Sequence, residues 1–432
     1  MAPNLTEDAT TKLKVYLDKA TTGDIPILPG AILHVVDASN NTVFTHASGG
    51  PARLSESTLT MIHSCTKIVG AIAFMQLVDR GLISLDDASL ISDHLPELAS
   101  KKVLTRVSDD DKKTPILVPM ETQITPRMLM NHTNGTGHTY FNQMMREYLA
   151  EGWETRNEVA DPHQTVLDAP LLWQPGTHTN YAQGFDWLAV LVERITRTDL
   201  ATYLQEHIFA PLGITDIAFE ESYGGDATTK DGSKGRFWPR SLKQPDGTFI
   251  PIDLPTIVKV PRAEAYPAGK YHAYPLGTGL VASAASYARL LTIFLNAGRD
   301  PLTGHVVLSP ASTAEITKPQ LPPHLRNDSR VVPSALDMLC KPAVLDAQYM
   351  DPEGSFGLGC GVQGAERTLA DGRRGRGKGS VYWYSAANMD FWVDKERGVV
   401  VVVNGNFFPW NDVAWIELVA GIEGVLYEGL ED

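Results

Sequence analysis

The 432-residue chain has few cysteines, no long apolar run and a deficit of basic residues. The three cysteines are Cys65, Cys340 and Cys360, and none belongs to a Cys-x-x-Cys pair. Neither a disulfide framework nor a zinc site is therefore expected, although a single disulfide stays open. No apolar run reaches the ~18 residues of a transmembrane helix, and residues 1–8 lack the basic and apolar regions of a secretory signal. These absences lead us to expect a cytoplasmic protein with no membrane partner.

The charge balance argues against nucleic acid as a main partner. Lysine and arginine total 37 against 51 aspartates and glutamates, which gives a formal net charge of −14. Phosphate backbones are bound by basic patches, which so acidic a surface does not favour. Hydrophobic residues make up 43% of the chain, which is ordinary for a globular protein and enough for a large buried core.

Several catalytic motifs are missing as well. The chain has no Gly-x-Ser-x-Gly elbow of the α/β-hydrolases, no zinc-binding His-Glu-x-x-His and no glycine-rich phosphate loop. His132 and His138 flank two glycines and would suit a metal, but a structural histidine is the more ordinary interpretation, as it is for His63. We therefore expect neither a metal nor an organic cofactor.

Apolar periodicity predicts helices and strands along much of the chain. Two apolar runs, residues 30–37 and 42–46, flank an Asx-rich turn, which predicts a β-hairpin. Apolar residues spaced three and four apart predict a helix over 65–80, and a Gly- and Pro-rich stretch predicts a long excursion over 220–270. Further helices are predicted over 7–20, 185–197, 200–209, 284–297 and 412–427, and further strands over 381–383, 389–393 and 399–404.

The order of these elements predicts a fold in two parts. Strands near both chain ends would form one sheet, so residues 1–80 and 275–432 are expected to make a discontinuous α/β domain. Residues 81–274 would then be an inserted, mainly helical domain with long loops. A cleft between two such parts is a natural site for a ligand, and we expect the active site there.

The tetrapeptide Ser64-Cys65-Thr66-Lys67 is the strongest chemical signal. A serine hydroxyl needs an adjacent base to attack, and residues three apart on a helix share a face, which places Lys67 beside Ser64. Burial or a neighbouring cation lowers the pKa of a lysine enough for the amine to accept a proton. The Ser64 backbone N–H at a helix start is suited to polarise a carbonyl oxygen. Taken alone, the motif is equally typical of a serine that caps a helix.

Further segments share a pattern with one enzyme family. With residues 61–87 around Ser64, the segments Ile124–Gly135, Asn180-Tyr181-Ala182-Gln183 and Gly277–Ser283 resemble the serine β-lactamase and penicillin-binding-protein family. The closest resemblance is to its class C and family VIII esterase branch, and within that branch to fungal acyltransferases (transesterases) of the statin-side-chain type. It extends over residues 25–425 and implies a β-lactamase-like α/β (α+β) fold, with an antiparallel sheet flanked by helices.

The resemblance also implies roles for individual residues. Ser64 would be the nucleophile, Lys67 the activating amine and Tyr181 a second proton carrier, a phenol that acts as a base if cations or donors stabilise its phenolate. The backbone N–H groups of Ser64 and Ala386 would form the oxyanion hole. Two acyl-transfer steps through an acyl-Ser64 intermediate follow from these roles.

The sequence departs from the family pattern at two places. Gln183 replaces the asparagine of the Tyr-x-Asn motif, with the same hydrogen-bonding groups on a longer arm. Trp383-Tyr384-Ser385 stands where true β-lactamases have Lys-Thr-Gly, so the lysine that grips a β-lactam carboxylate is absent. Ester chemistry is therefore favoured over β-lactam hydrolysis. Four upstream cations would restore the charge only if their loop folds back: Arg373, Arg374, Arg376 and Lys378.

Aromatic residues near the motifs indicate a hydrophobic or aromatic ester or thioester, of the kind found in secondary metabolism. We expect a small-molecule acyl donor and an alcohol or amine acceptor, with an acyl carrier or polyketide synthase as one candidate donor. A β-lactamase or D-amino-acid peptidase and a catalytically inactive binding relative are the alternatives. The predicted substrate-binding residues are Gln183, Trp383, Tyr384, Ser385, Trp238, Tyr140 and Trp173, with Phe141, Trp153, Phe237, Tyr271 and Tyr382 as further pocket aromatics.

Overall fold

Strands from both ends of the chain form one antiparallel sheet of seven strands in the computed structural model. The strand order is β13-β14-β15-β16-β17-β2-β3. The structure describes residues 3–50, 53–109, 114–148, 166–219, 236–252, 275–326, 331–332, 334–335, 340–341, 343–344 and 353–431. The strands are β1 (Asn4–Leu5), β2 (Gly30–Asp37), β3 (Thr42–Gly49), β4 (Leu59–Met61), β5 (Lys102–Val107), β6 (Pro115–Pro119), β7 (Ala218–Phe219), β8 (Ser241–Lys243), β9 (Phe249–Pro251), β10 (Leu280–Ser283), β11 (Val331–Val332), β12 (Ala343–Val344), β13 (Ser355–Phe356), β14 (Gly361–Val362), β15 (Val381–Ser385), β16 (Met389–Asp394), β17 (Val399–Asn404), β18 (Phe407–Phe408) and β19 (Leu430–Glu431).

Helices cover the sheet and fill the middle of the chain. α2 is buried on nearly all sides, as expected of a helix that is apolar all round. Short 3₁₀ turns lie at His63–Cys65, Ala210–Leu212 and Thr292–Phe294, and a π turn lies at Gln205–Phe209. The α-helices are α1 (Glu7–Thr21), α2 (Thr66–Asp79), α3 (Ser89–His94), α4 (Pro96–Ala99), α5 (Pro126–Met130), α6 (Gln143–Tyr148), α7 (Gly184–Thr196), α8 (Leu200–Leu204), α9 (Ala284–Leu291), α10 (Pro310–Ile316), α11 (Pro323–Arg326) and α12 (Val413–Gly429).

The predicted hairpin and the join between the two chain ends are confirmed. Asp37 closes the β2–β3 turn, since its carboxylate accepts hydrogen bonds from the backbone of Ser39 and Asn41 at 2.8 and 2.7 Å. β2 pairs on its other side with β17, from the far end of the sequence. The predicted fold, an antiparallel sheet flanked by helices and built from both chain ends, is therefore correct.

The two faces of the sheet carry different helices. In β16, alternate side chains point to opposite faces. Asp390 accepts a hydrogen bond from Trp415 of α12 at 2.7 Å, whereas the ring of Phe391 packs edge-on against Tyr287 of α9. Trp383 is the strand partner of Phe391 and so shares the α9 face.

Some predicted elements differ in detail from the observed ones. The helix predicted over 284–297 ends at Leu291 and continues as a 3₁₀ turn, and the one predicted over 200–209 becomes a π turn after Leu204. The middle of the chain also contains the hairpin β5–β6. Residues 236–252 of the predicted excursion form β8 and β9, while the rest of it lies outside the described residues.

Domain boundaries at residues 81 and 274 stay a prediction. No helix among the described residues is long and apolar enough to cross a membrane. Cys65, Cys340 and Cys360 are each a buried free thiol.

Candidate active site

Ser64 lies in a turn that two strands hold in place. β4 pairs with β10 and leads into the 3₁₀ turn that contains Ser64, after which α2 begins at Thr66. The Thr66 hydroxyl accepts a hydrogen bond from the backbone of Leu280 at 3.1 Å, which ties the start of α2 to β10. Ser64 is therefore fixed near the N-terminal end of α2 with 8% of its surface exposed.

Lys67 is buried beside Ser64, as the spacing predicts. Its Nζ lies 3.4 Å from the Ser64 Oγ and donates a hydrogen bond to the carbonyl oxygen of Gly277 at 2.7 Å. Burial lowers the pKa of Lys67 to about 7, and the nearby Asp186 and Cys65 oppose this effect. Near neutral pH, the amine is thus available as a proton acceptor.

Asp186 is a site residue that the sequence analysis missed. Its Oδ1 accepts a hydrogen bond from the backbone N–H of Gly277 at 3.0 Å, and the carbonyl of the same Gly277 holds Lys67. A Cβ at position 277 would lie 3.1 Å from that carboxylate oxygen, so a side chain there would press on Asp186. Asp186 sits in the first turn of α7, three residues after Gln183, but nothing in sequence links it to Lys67.

Tyr181 packs over Lys67 rather than pointing its hydroxyl at the amine. The Lys67 Nζ lies 4.5 Å from the centre of the Tyr181 ring. Burial raises the pKa of Tyr181 above its usual range, with the Ser64 hydroxyl and the Trp383 indole opposing the rise. The Tyr181 hydroxyl is buried near the Ser64 hydroxyl and the Trp383 indole but forms no hydrogen bond of ordinary geometry among the described residues. It is therefore a neutral phenol at rest, and the Lys67 amine is the group of the two that can accept a proton.

Two histidines interpreted as structural lie at the site. The His132 ring is 4.6 Å from the Tyr181 ring, and the pKa of His132 is held well below 6.5 by burial and by the Lys67 and His138 charges. His63 directly precedes Ser64, and burial, Arg240 and Lys67 likewise keep its pKa well below 6.5. Both imidazoles are neutral at physiological pH. Within the described ranges, no three His, Cys, Asp or Glu side chains converge as a metal site.

Ser385 joins the end of β15 to the Ser64 turn. Its hydroxyl donates a hydrogen bond to the carbonyl oxygen of Ile62 at 2.8 Å, and only 1% of Ser385 is exposed. Ala386, the next residue, is partly exposed. The bond therefore sets the spacing between the backbones of Ser64 and Ala386, the two predicted oxyanion donors.

The aromatic residues predicted to bind substrate divide into two groups. Trp383 stacks on Tyr181 at 5.4 Å and on Tyr384 at 5.0 Å. Tyr140 packs against the same cluster of Ala387 and Phe408 as Ala386 does. These contacts bring Trp383, Tyr384 and Tyr140 to the Ser64 region.

The remaining predicted residues lie elsewhere or have other contacts. Trp238 is 3% exposed and packs against Gly30 in the core, while Trp173 belongs to a separate cluster with Leu104. Gln183 is buried at the N-terminus of α7, one turn before Asp186. Phe141 contacts the ring of Tyr181, Phe237 packs with β4 and Tyr382 faces Arg376. Trp153 and Tyr271 lie outside the described residues.

The arginine-rich loop does not fold back to the site. Arg376 is buried in an ion pair with Glu423 of α12 at 2.9 Å, and its guanidinium lies 4.9 Å from the Trp392 ring. Trp392 shares the α12 face with Asp390, whereas Trp383 and Ser385 lie on the other face. Arg373 pairs with Asp371 and Glu428, Arg374 pairs with Glu366, and Lys378 is exposed.

Comparisons with known proteins agree with this geometry. A monacolin J acid methylbutanoyltransferase from Aspergillus terreus is 28% identical over 422 residues, 93% of this chain and 92% of that protein. A lovastatin esterase from Penicillium rubens is 36% identical over 198 residues, 44% of this chain and 48% of that protein. The crystal structure of a simvastatin synthase mutant from Aspergillus terreus superposes with a TM-score of 0.77 at 27% identity and covers 98% of both chains. The Beta-lactamase family model matches residues 23–422, so the chain belongs to the β-lactamase family and is a serine hydrolase or acyltransferase.

Proposed function

We propose that the protein forms an acyl ester on Ser64 and passes the acyl group to the alcohol or amine of a second small molecule, or to water. The observation that carries this proposal is the buried Lys67 amine, 3.4 Å from the Ser64 hydroxyl and with a pKa of about 7. A buried amine that is neutral near pH 7 serves as the base that a serine nucleophile requires.

The first step makes the acyl enzyme. The Ser64 Oγ bonds to the carbonyl carbon of the donor while its proton moves to the Lys67 amine. The developing oxyanion is held by the backbone N–H groups of Ser64 and Ala386. When the tetrahedral intermediate collapses, Tyr181 protonates the departing alkoxide or thiolate and regains a proton from the Lys67 ammonium.

The second step discharges the acyl enzyme by the reverse proton movements. An acceptor hydroxyl or amine passes its proton through Tyr181 to Lys67 as it attacks the acyl carbon. Lys67 then returns a proton to the departing Ser64 oxygen, which restores the serine hydroxyl. Transfer and hydrolysis differ only in which nucleophile enters, so exclusion of water decides the outcome. The relatives include a methylbutanoyltransferase and an esterase, which supports either result.

The aromatic surface around Tyr181 favours a hydrophobic acceptor or leaving group. The Trp383 ring stacks on Tyr181 and on Tyr384, and the Phe141 ring packs edge-on against Tyr181. Flat or polycyclic alcohols of secondary metabolism fit such a surface better than sugars or peptides.

A partitioning assay tests the proposal. The wild type and Ser64→Ala are mixed with p-nitrophenyl butanoate and a series of hydrophobic alcohols and amines, with a butanoyl thioester as a second donor. We expect the wild type alone to release p-nitrophenol. As the acceptor concentration rises, butanoyl esters or amides should replace butanoic acid as the products. Release by Ser64→Ala at the wild-type rate would contradict the proposal.

The same geometry makes β-lactam hydrolysis a poor second activity. The motif lysine is absent, and Arg376 is committed to Glu423 on the opposite face of the sheet. We expect turnover of a chromogenic cephalosporin at least a hundredfold below ester turnover in kcat/KM. Comparable kcat/KM values for the cephalosporin and the ester would show that other residues bind the β-lactam carboxylate.

A further inference from the structure

A small apolar cluster lies around Ala386, apart from the main core. Ala387 and Phe408 are its buried members, and Tyr140, Leu242 and Ile252 are partly buried against them, as is Ala386 itself. Tyr181, by contrast, packs on the main core. The two apolar surfaces meet at Tyr140, whose ring packs edge-on against Phe141 at 6.2 Å, and Phe141 in turn packs against Tyr181.

Strand pairing far apart in sequence assembles this cluster. β8 pairs with β18 in parallel, with Leu242 opposite Phe408. The backbone of Phe407 donates to the carbonyl oxygen of Ala387 at 3.0 Å, which ties β18 to the turn after β15. These pairings fix Leu242 and Phe408 beside the turn that carries Ala386.

The cluster also reaches the other side of the candidate oxyanion hole. The Phe408 ring packs edge-on against the ring of His63 at 5.7 Å, and His63 directly precedes Ser64. Both residues whose backbones are proposed to hold the oxyanion, Ser64 and Ala386, thus border this one apolar surface.

Proton transfer assigns the two surfaces to the two halves of a donor. Tyr181 must touch the departing oxygen or sulfur to protonate it, so the leaving group and later the acceptor occupy the Tyr181 surface. The acyl chain extends from the carbonyl carbon on the other side of the oxyanion. The side chains of the cluster carry no charge, and the Tyr140 hydroxyl is the polar group among them.

We propose that the cluster of Tyr140, Leu242, Ile252, Ala387 and Phe408 is an acyl-chain subsite that selects neutral aliphatic acyl groups. This inference rests on the proposed function and deepens it by assigning the acyl half of the donor. Its selectivity is separate from the choice of leaving group or acceptor on the Tyr181 side.

The test uses two series of esters with the full-length protein. p-Nitrophenyl acetate, butanoate and hexanoate vary the acyl chain, and aryl acetates with leaving groups of different size vary the other half. In the wild type, kcat/KM should rise about fourfold per methylene until the subsite is full, the factor expected for burying each CH₂. Leu242→Trp should lower the hexanoate-to-acetate ratio at least tenfold and leave the aryl acetate ranking unchanged. Leu302→Trp is the matched control, because Leu302 is 57% exposed and outside the cluster.

Each outcome has a distinct meaning. An unchanged hexanoate-to-acetate ratio in Leu242→Trp, or a change in the aryl acetate ranking instead, would overturn the subsite. If Leu242→Trp unfolds at a lower temperature than the wild type, Leu242→Ala replaces it. In Leu242→Ala, kcat/KM should increase less with acyl-chain length than in the wild type. An increase equal to that of the wild type would overturn the assignment. Absence of any Ser64-dependent ester turnover in the wild type would overturn the proposed function itself.

Discussion

The pKa of Lys67 should set the acid limb of the pH–activity profile, that is, the fall in kcat/KM at low pH. Asp186→Asn should shift this acid limb to a different pH. A pKa of about 7 instead of 10.5 corresponds to about 5 kcal/mol against the charged amine. At pH 8, about nine tenths of the enzyme then carries a neutral Lys67, compared with well under one hundredth for an ordinary lysine. We therefore expect kcat/KM for p-nitrophenyl butanoate to be level above pH 8 and to fall about tenfold per unit below pH 7.

Asp186→Asn separates charge from geometry at this site. The amide oxygen still accepts the Gly277 N–H, so the carbonyl that holds Lys67 stays in place. The negative charge that raises the pKa of Lys67 is removed, so the amine stays neutral to lower pH. The acid limb should move toward lower pH with the plateau reduced less than threefold. Asp186→Leu, which also removes the acceptor, should lower the plateau itself at least tenfold.

The assay is a pH profile from 5 to 9 at constant ionic strength, with each variant checked for folding at every pH. An acid limb that is unchanged or shifted to higher pH in Asp186→Asn would show that the Asp186 charge does not raise the pKa of Lys67. A wild-type profile that is flat down to pH 5 would remove Lys67 from the role of base.

Three further predictions concern stability and individual steps. Between pH 7 and 10.5 the unfolded chain keeps the Lys67 proton while the folded protein releases it, so this lysine destabilises the fold most below pH 7 and less as pH rises. Lys67→Met should therefore raise the free energy of unfolding, measured by urea denaturation, on the order of 3 kcal/mol at pH 6 and by less at pH 10. Ser385→Ala removes one of the two donors to the Ile62 carbonyl and leaves the Cys65 N–H at 3.0 Å, so we expect about 0.5–1.5 kcal/mol lower stability and roughly tenfold lower kcat with KM little changed. An unaltered kcat would show that the bond does not position the oxyanion hole. Tyr181→Phe should lower kcat about 10²–10⁴-fold for alkyl esters, whose leaving group needs a proton, and far less for p-nitrophenyl esters; equal losses for both would contradict its role as acid.

Local parts of the site could be predicted from sequence because they depend on short-range geometry. Ser64 and Lys67 are three residues apart at a helix start, so one turn of α2 brings them together. The hairpin of β2 and β3 could be predicted for the same reason, since the Asp37 turn is local. Tyr181 was placed only through the family resemblance, because nothing in its own neighbourhood links it to a residue more than a hundred positions earlier.

Other parts depend on packing between distant segments. The contact from Asp186 through Gly277 to Lys67 joins three segments, and each looks ordinary alone. Trp238 also depends on distant packing, because its position near an aromatic run indicates a pocket, while in the structure it is buried against Gly30, about two hundred residues earlier. The acyl-chain subsite could not be predicted either, since it requires β8, from the middle of the chain, to pair with β18 near the C-terminal end.

Intact-protein mass spectrometry can detect the proposed covalent acyl group on Ser64. Wild type and Ser64→Ala are quenched within seconds of mixing with p-nitrophenyl butanoate, and the modified peptide is then mapped. We expect a butanoyl adduct on the wild-type peptide that contains Ser64 and no adduct on Ser64→Ala. The adduct should be lost faster when a hydrophobic alcohol or amine is added. Ester turnover with an adduct on another residue, or with an equal adduct on Ser64→Ala, would contradict the proposal.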